Sequence, residues 1–455
     1  MTVLSSDGQA SDRQLRLPLE CPGDETVPGA GGGDTPVDGT DLMERVLEAG
    51  NLRRALRQVR RNRGAPGVDG MTVDDLVAHL TTHWPAIRAA LVAGTYQPQP
   101  VRRVAIPKPG GGTRSLGIPV VLDRFIEQAL LQVLQAAWDP TFSTWSYGFR
   151  PGRSAHQAVT QAQTYIREGS PWVVDLDLER FFDRVNHDVL LSRVRARVAD
   201  PRVVRLIHRF LLAGVFTLEG EVEPTTEGTP QGGPLSPLLA NLLLDEFDQE
   251  LERRGHRFVR YADDANIYVG SRRAGERVLT SVTRFLERRL KLVVNAAKSA
   301  VDRPSNRTFL GFTFTPGGRP RRKVSAKALA TFQMKVRALT GRTRGRTTGQ
   351  ILRELRQYLL GWRGYFGVAE VTSPLRDLDK WIRRRLRCYH WKQWGRRGYR
   401  ELRKRGISRE LAWNTSKSAH GPWRLSQSPA LTMALPRRCF ARLGLPSLVE
   451  ARPGH

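Results

Sequence analysis

Two acidic segments carry the residues best suited to chemistry. In Trp172-Val-Val-Asp175-Leu-Asp177-Leu178, an extended chain would place Asp175 and Asp177 on one face and Val174, Leu176 and Leu178 on the other. A merely structural apolar strand has no reason to present two carboxylates side by side. Further along, the β-rich arms of Arg257-Phe-Val-Arg-Tyr261-Ala262-Asp263-Asp264-Ala-Asn-Ile267-Tyr-Val269 flank adjacent aspartates and read as a hairpin. Carboxylates converging from separate strands repel one another strongly unless cations sit between them. Two Mg²⁺ ions about 3.5–4 Å apart would satisfy them, clamping the attacking and leaving oxygens of an in-line phosphoryl transfer. That is the chemistry of nucleotidyl transfer, where positioning and charge neutralisation do most of the work.

The elements around these aspartates must hold them in place. Leu42, Val46, Leu47, Leu52 and Ala55 recur at helical intervals between Asp41 and Leu91, interrupted by the loop Gly-Ala-Pro-Gly-Val-Asp-Gly at 64–70. The segment 101–120 predicts two short strands joined by Gly110, Gly111 and Gly112, followed by helix to about Trp138. A strand spans Trp172 to Leu178, a loop Thr225–Gly233, and a helix about Ser236 to Arg253. Strands and helices mix without a strict βαβ rhythm, so the fold class is α+β. Beyond Arg319 strands are expected to disappear, with 348–405 helical and 406–455 irregular, broken by Pro and Ser. Residues 1–40, with seven acids against two Arg and many Gly and Pro, read as a disordered acidic leader.

Lys+Arg 73 against Asp+Glu 44 gives a net charge of +29, which implies a polyanionic partner, nucleic acid before all others. No stretch approaches the roughly 20 apolar residues of a membrane span and the N-terminus lacks a signal-peptide pattern, so a soluble, cytoplasmic protein without a membrane partner is expected. Cys21, Cys388 and Cys439 lie far apart and predict neither a disulfide framework nor a structural zinc site.

The tetrapeptide YADD between two strands, downstream of DLDLERFFDRV and TPQGGPLSPLLANLLLDEF, resembles the polymerase core of a reverse transcriptase. SYGFRPGRSAHQAV (146–159), GTPQGGPLSP (228–237), LKLVVNAAKS (290–299) and FLGFTF (309–314) resemble the bacterial group II intron-encoded reverse transcriptase/maturase family, as do GWRGYFGVAE (361–370) and AHGPWRLSQSPALTMALP (419–436). The resemblance covers about residues 41–450. It implies a right-hand-like polymerase, with fingers and palm over 41–318, a helical basic thumb/maturase domain over 319–405, and a DNA-binding-like segment over 406–455. Asp177, rather than Asp175, would be the first metal ligand, because it lies five residues before Phe182, where these enzymes keep an aromatic that rejects a 2′-hydroxyl. Asp263 and Asp264 would complete the metal triad, with two Mg²⁺ ions expected and Mn²⁺ as the alternative. The positions of Lys108 and Arg114 serve the incoming triphosphate in similar enzymes, Gln231 and Gly232 match a nucleotide-sugar and template-stacking position, and Lys298 matches a lysine proposed to protonate the pyrophosphate.

Lys380–Arg405 holds 12 basic residues and one acid, interleaved with Trp381, Tyr389, Trp391, Trp394 and Tyr399. Leu375, Leu378, Ile382, Leu386 and Tyr389 form an apolar stripe at helical spacing, leaving Lys380, Arg383, Arg384 and Arg387 facing outward. A solvated helix face alternates charge signs. This one does not, so phosphate tracking is expected, with Lys392, Arg396 and Arg397 continuing the RNA-binding set. Many relatives end in a His- and Cys-rich HNH nuclease; only His420, Cys439 and His455 follow residue 400 here, so second-strand cleavage by this chain is not expected. The expected function is RNA-directed DNA polymerisation on dNTPs with a DNA primer and target, coupled to splicing and retrohoming of a group II intron RNA. The alternatives are a splicing factor that no longer polymerises and a domesticated or defence-associated reverse transcriptase without an intron.

Overall fold

The computed structural model describes residues 41–107, 113–217 and 220–449. The described residues divide into two compact units, one within 41–158 and 174–301 and one within 159–173 and 302–449. The predicted leader, residues 1–40, lies outside the described residues. No helix among the described residues is long and apolar enough to cross a membrane.

The first unit opens with α1 (Leu42–Val46), α2 (Ala49–Asn62) and α3 (Leu76–Val92). In α2 the apolar positions Leu52, Ala55, Leu56 and Val59 are buried and the arginines between them exposed, the pattern a core-facing helix requires. β1 (Val101–Pro107) and β2 (Thr113–Ile118) form the predicted antiparallel pair, with Arg102 opposite Ile118 and Ile106 opposite Arg114. Next come α4 (Val121–Trp138), α5 (Ala155–Arg167), which crosses the unit boundary, and β3 (Trp172–Leu176). α6 (His187–Arg197) and α7 (Pro201–Leu212) start on Asn186 and Asp200, whose side chains cap Val189 N and Arg202 N. β4 (Val215–Phe216) and β5 (Val222–Glu223) are two residues each, too short for sequence periodicity to show. α8 (Ser236–Arg253), β6 (Arg257–Tyr261), β7 (Asp264–Val269), α9 (Arg272–Arg289) and β8 (Ala300–Asp302) follow.

Two four-stranded sheets result, ordered β2-β1-β4-β5 and β6-β7-β3-β8. β1 and β4 run parallel, whereas β6 and β7 form the expected antiparallel hairpin. The α+β class follows.

In the second unit a hairpin of β9 (Phe312–Phe314) and β10 (Arg322–Val324) corrects the expectation that strands end at Arg319. Three residues per arm carry too little alternation to be read. α10 (Ala326–Leu339), α11 (Thr348–Phe366) and α12 (Ser373–Trp394) form the helical core of this unit. Thr347 and Gln350 make a reciprocal capping box at the start of α11. Phe332, Trp362, Phe366 and Phe312 form a chain of ring contacts at 4.5, 4.6 and 5.2 Å, so FLGFTF and GWRGYFGVAE meet in one aromatic core. α13 (Gly398–Lys404), α14 (Arg409–Lys417), α15 (Pro422–Leu425), α16 (Pro429–Ala434) and α17 (Arg437–Arg442) show that 406–449 is largely helical rather than irregular. The Ser and Pro residues read as interruptions are starts. Ser408 and Ser428 are N-caps, and Pro422 and Pro429 occupy first turns.

Candidate active site

β3 buries Val174 and Leu176 on one face, while Asp175 and Asp177 stay half-buried on the other, as the alternation requires, with Val173 the buried apolar residue on the aspartates' side. β7 is the neighbour of β3. With its amide nitrogen turned to donate, Asn266 bonds Asp175 Oδ1 at 3.1 Å. Side-chain period two then sets Asp264 on the same sheet face as Asn266, hence on the face of Asp175 and Asp177. Tyr261 pairs with Asp264, leaving Ala262 and Asp263 as a two-residue turn with Ala262 at φ +58. An alanine in that region stores strain of order 1–3 kcal/mol and persists only where its surroundings hold it.

They do so through a buried polar network that sequence reading did not find. Arg260, 1% exposed, donates to Asp248 on α8 through Nε at 2.7 Å, to Asn241 Oδ1 at 3.0 Å and to the Ala262 carbonyl at 2.9 Å. Burial raises the pKa of Asp248 to about 6, and the adjacent guanidinium opposes the rise. Segment Trp145–Tyr147 lies along β6, with Arg260 N donating to Trp145 O at 3.0 Å and Tyr147 N to Arg260 O at 2.9 Å. Asn241 Nδ2 donates to Gly148 O at 2.9 Å, and a Cβ on Gly148 would stand 2.2 Å from Ala262 N. The available signal was an arginine at an inward position of an apolar strand, paired with an aspartate on the preceding helix.

Asp177 is held by the loop that LKLVVNAAKS contributes. Asn295 N donates to Asp177 O at 2.9 Å, Asp177 N donates to Ser299 Oγ at 3.0 Å, and Leu178 bridges Val294. The loop brings Lys298 Nζ to 3.1 Å from Asp177 Oδ2. Asp177, Asp263 and Asp264 offer only oxygen donors, the set a hard divalent cation takes. Among the described residues, however, no three His, Cys, Asp or Glu side chains gather into a group that could hold a metal ion. Asp177 and Asp264 share a sheet face, and Asp263 sits in the turn beside it. The expected convergence of all three on a cation is not formed among the described residues, and Asp177 is bonded to an ammonium.

Phe182 is half-exposed and lines a cleft of about 480 Å³ with Arg103, Leu116, Asp183, Thr229 and Gln231. Thr229 N donates to Phe182 O and Gly228 N to Val185 O, both at 2.7 Å, so the loop 228–231 is laced to the Phe182 segment. Gln231 Nε2 donates to Asp183 Oδ1 at 3.0 Å. Gly232, at φ +151, packs so closely that a Cβ would lie 2.3 Å from Gly117 O; the partner its bareness admits in this structure is β2. Beneath this loop Glu127 of α4, 4% exposed, accepts from Leu235 N at 3.2 Å, and burial pushes its pKa up to about 8. Lys108 and the side chain of Arg114 lie outside the described residues.

In the second unit Lys380, Lys392, Arg396 and Arg397 are exposed, with Lys380 3.2 Å from Asp377. Arg383, Arg384 and Arg387 do not form the free outer face that was expected. Arg384 lies 3.9 Å over the Trp423 ring, Arg387 Nε donates to Leu435 O at 3.2 Å, and Arg383 is near Asp379 and Arg437. Burial lowers the pKa of Arg383 and Arg387. The apolar stripe revealed one packed side of α12; a second meets α15 and Leu435, the residue closing α16, through guanidinium groups on a tryptophan ring and a backbone carbonyl rather than through aliphatic residues.

Two family models match the chain in tandem: "Reverse transcriptase (RNA-dependent DNA polymerase)" over residues 106–314 and "Group II intron, maturase-specific domain" over residues 329–406. The chain is 39% identical over 219 residues to Protein YkfC of Escherichia coli (strain K12), a match covering 47% of this chain and 57% of that protein. It is 41% identical over 163 residues to the group II intron-encoded protein LtrA of Lactococcus lactis subsp. cremoris, covering 35% of this chain and 26% of that one. The chain thus spans less than two thirds of either relative. Among solved structures it is similar to a chain of a partial Cas6-RT-Cas1–Cas2 complex, with 26% identity, 54% of this chain and 42% of that chain covered, and a TM-score of 0.36.

Proposed function

We propose, for a chain that belongs to the group II intron-encoded reverse transcriptase/maturase family, that it copies intron RNA into DNA and assists the splicing of that RNA. The supporting observation is the acidic sheet face: Asp177 and Asp264 lie on it from neighbouring strands, and Phe182, five residues beyond Asp177, lines the cleft. Asp177, Asp263 and Asp264 would hold the divalent metal, two Mg²⁺ ions or Mn²⁺ in their place, which when bound supplies charge neutralisation at the triphosphate. Phe182 excludes a 2′-hydroxyl by overlap, Gln231 and Gly232 serve the sugar and template, and Lys108 and Arg114 grip the triphosphate. Lys298 donates a proton to the departing pyrophosphate. Residues 41–318 form the fingers and palm, 319–405 the thumb/maturase domain and 406–455 the DNA-binding-like segment, with Lys380, Lys392, Arg396 and Arg397 on the RNA backbone. The partners are the intron RNA, a DNA primer and target, and dNTPs, in the cytoplasm.

Asp263→Asn tests the reading. It should abolish extension of a DNA primer on an RNA template while leaving RNA affinity within about twofold, since the change touches no phosphate-tracking cation. Extension at the wild-type rate would show that the hairpin is not the catalytic one.

A further inference from the structure

We propose that Phe149 is a positioning residue for sugar selection, a second wall that fixes the ring of Phe182 and ties it to the aspartate hairpin. The inference rests on the reading of Phe182 as the residue that rejects a 2′-hydroxyl. Phe149 is 43% exposed and sits at φ +60. A bulky side chain in the left-handed region is a rare outlier, retained only where neighbours impose it. Both flanking residues are pinned. Gly148 accepts from Asn241 and packs against the Ala262 turn, while Arg150 donates to Ser146 O at 3.0 Å and pairs with Asp139 at 2.8 Å.

The conformation so imposed aims the ring. Its centroid lies 6.4 Å from that of Phe182 at an interplanar angle of 68°, an edge-to-face contact. Phe182 also meets Phe181, at 5.2 Å and 74°, and Phe181 is buried. Phe182 is therefore in edge-to-face contact with both a buried core ring and Phe149. Rejection by overlap depends on where the ring stands, because a shift of about 1 Å or a rotamer change relieves the overlap and readmits the hydroxyl. Through Gly148 and Ala262 the same short segment sets the ring relative to Asp263 and Asp264. Phe149 thus acts through Phe182 and need not touch the nucleotide.

The test uses the full chain with an RNA template, a DNA primer and single-nucleotide incorporation of matched deoxy- and ribonucleotides. Phe149→Gly removes the wall and suits φ +60, so its melting temperature should equal or exceed that of the wild type. Its deoxy-over-ribo preference should fall on the order of tenfold through improved ribonucleotide kcat/KM, with deoxynucleotide kcat/KM changed less than about threefold. Phe149→Tyr should keep the preference. Phe149→Gly combined with Phe182→Ala should discriminate no worse than Phe182→Ala alone, because both changes remove one device. If Phe182→Ala loses discrimination and Phe149→Gly keeps it, the second wall is refuted and the role of Phe182 stands. If Phe182→Ala itself keeps discrimination, that underlying reading fails and takes this one with it. Equal loss of both nucleotides in Phe149→Gly would also overturn the proposal, marking the residue as structural.

Discussion

Gly148 is a glycine because of what it touches: a Cβ there would stand 2.2 Å from Ala262 N and 2.9 Å from Tyr261 C. Gly152 makes the opposite case, with φ +68 and nothing within 4 Å of the added carbon. Alanine at either position should cost about 1–3 kcal/mol, by overpacking at Gly148 and by left-handed strain at Gly152. The two losses differ in where they fall. At a temperature where both variants are folded, Gly148→Ala should slow primer extension at least tenfold, a margin of about 1.4 kcal/mol at the turn, while Gly152→Ala extends normally. Thermal melts beside extension rates check this, and equal extension by the two would separate Gly148 from the hairpin. The residues with charge to offer, Asp177, Asp263 and Asp264, were legible because carboxylates in apolar strands are conspicuous. Gly148, Asn241 and Arg260 were not, since their reasons lie in partners distant along the chain. Removing one partner of the buried Arg260–Asp248 pair would leave an uncompensated charge, at about 3–5 kcal/mol.

Among the elements, α4 combines burial with ionisable groups. Glu127 lies under the loop that carries Gln231, and Gly233 allows the close approach, since a Cβ there would be 2.5 Å from Glu127 Oε2. Asp123 on the same helix accepts from Tyr96 Oη at 2.7 Å and Gln99 N at 2.9 Å, and burial raises it to about 7. A carboxyl raised in the fold contributes stability that is complete below its unfolded pKa and is lost as pH climbs through the folded value. Stability should therefore decline from about pH 4.5 to about 8 for Glu127, while Asp248 ceases to contribute above about 6 and Asp123 above about 7. Glu127→Gln keeps an acceptor for Leu235 N and removes the uppermost titration. Urea unfolding from pH 5 to 9 should show the variant falling much less between pH 7 and 8 than the wild type, with only the tail of the Asp123 titration left there, each pKa unit being worth about 1.4 kcal/mol. An unchanged slope there would mean that Glu127 is not the group responsible. Element types were legible wherever a pattern ran for more than about five residues, as in β1–β2, α8 and the β6–β7 hairpin. β4, β5 and β10 escaped because two or three residues make no period, and α14–α16 because Ser and Pro mark helix starts as readily as breaks.

For the molecule as a whole, a net charge of +29 sets long-range attraction to nucleic acid, but exposure decides which cations reach phosphate. Sequence spacing assigned that role to Arg383, Arg384 and Arg387 because one apolar stripe was visible on α12. The second packed side uses Trp423 and backbone carbonyls, which no hydrophobic count registers. Two sets of substitutions should therefore behave in opposite ways. Changing Lys392, Arg396 and Arg397 together to Gln removes three exposed cations and should flatten the slope of log K against log salt for a structured RNA by about 2–2.7, at about 0.7–0.9 per phosphate contact, with stability within about 0.5 kcal/mol. Changing Arg384 and Arg387 to Gln removes a ring-stacked guanidinium and a carbonyl bond, at about 0.5–2 and about 1 kcal/mol, and should lower stability with little change in slope. Fluorescence anisotropy across a salt series, run beside urea unfolding of the same proteins, separates the two. A slope flattened as much by the half-buried pair as by the exposed triple would mean that α15 and α16 leave α12 when RNA binds, returning Arg384 and Arg387 to the nucleic-acid face.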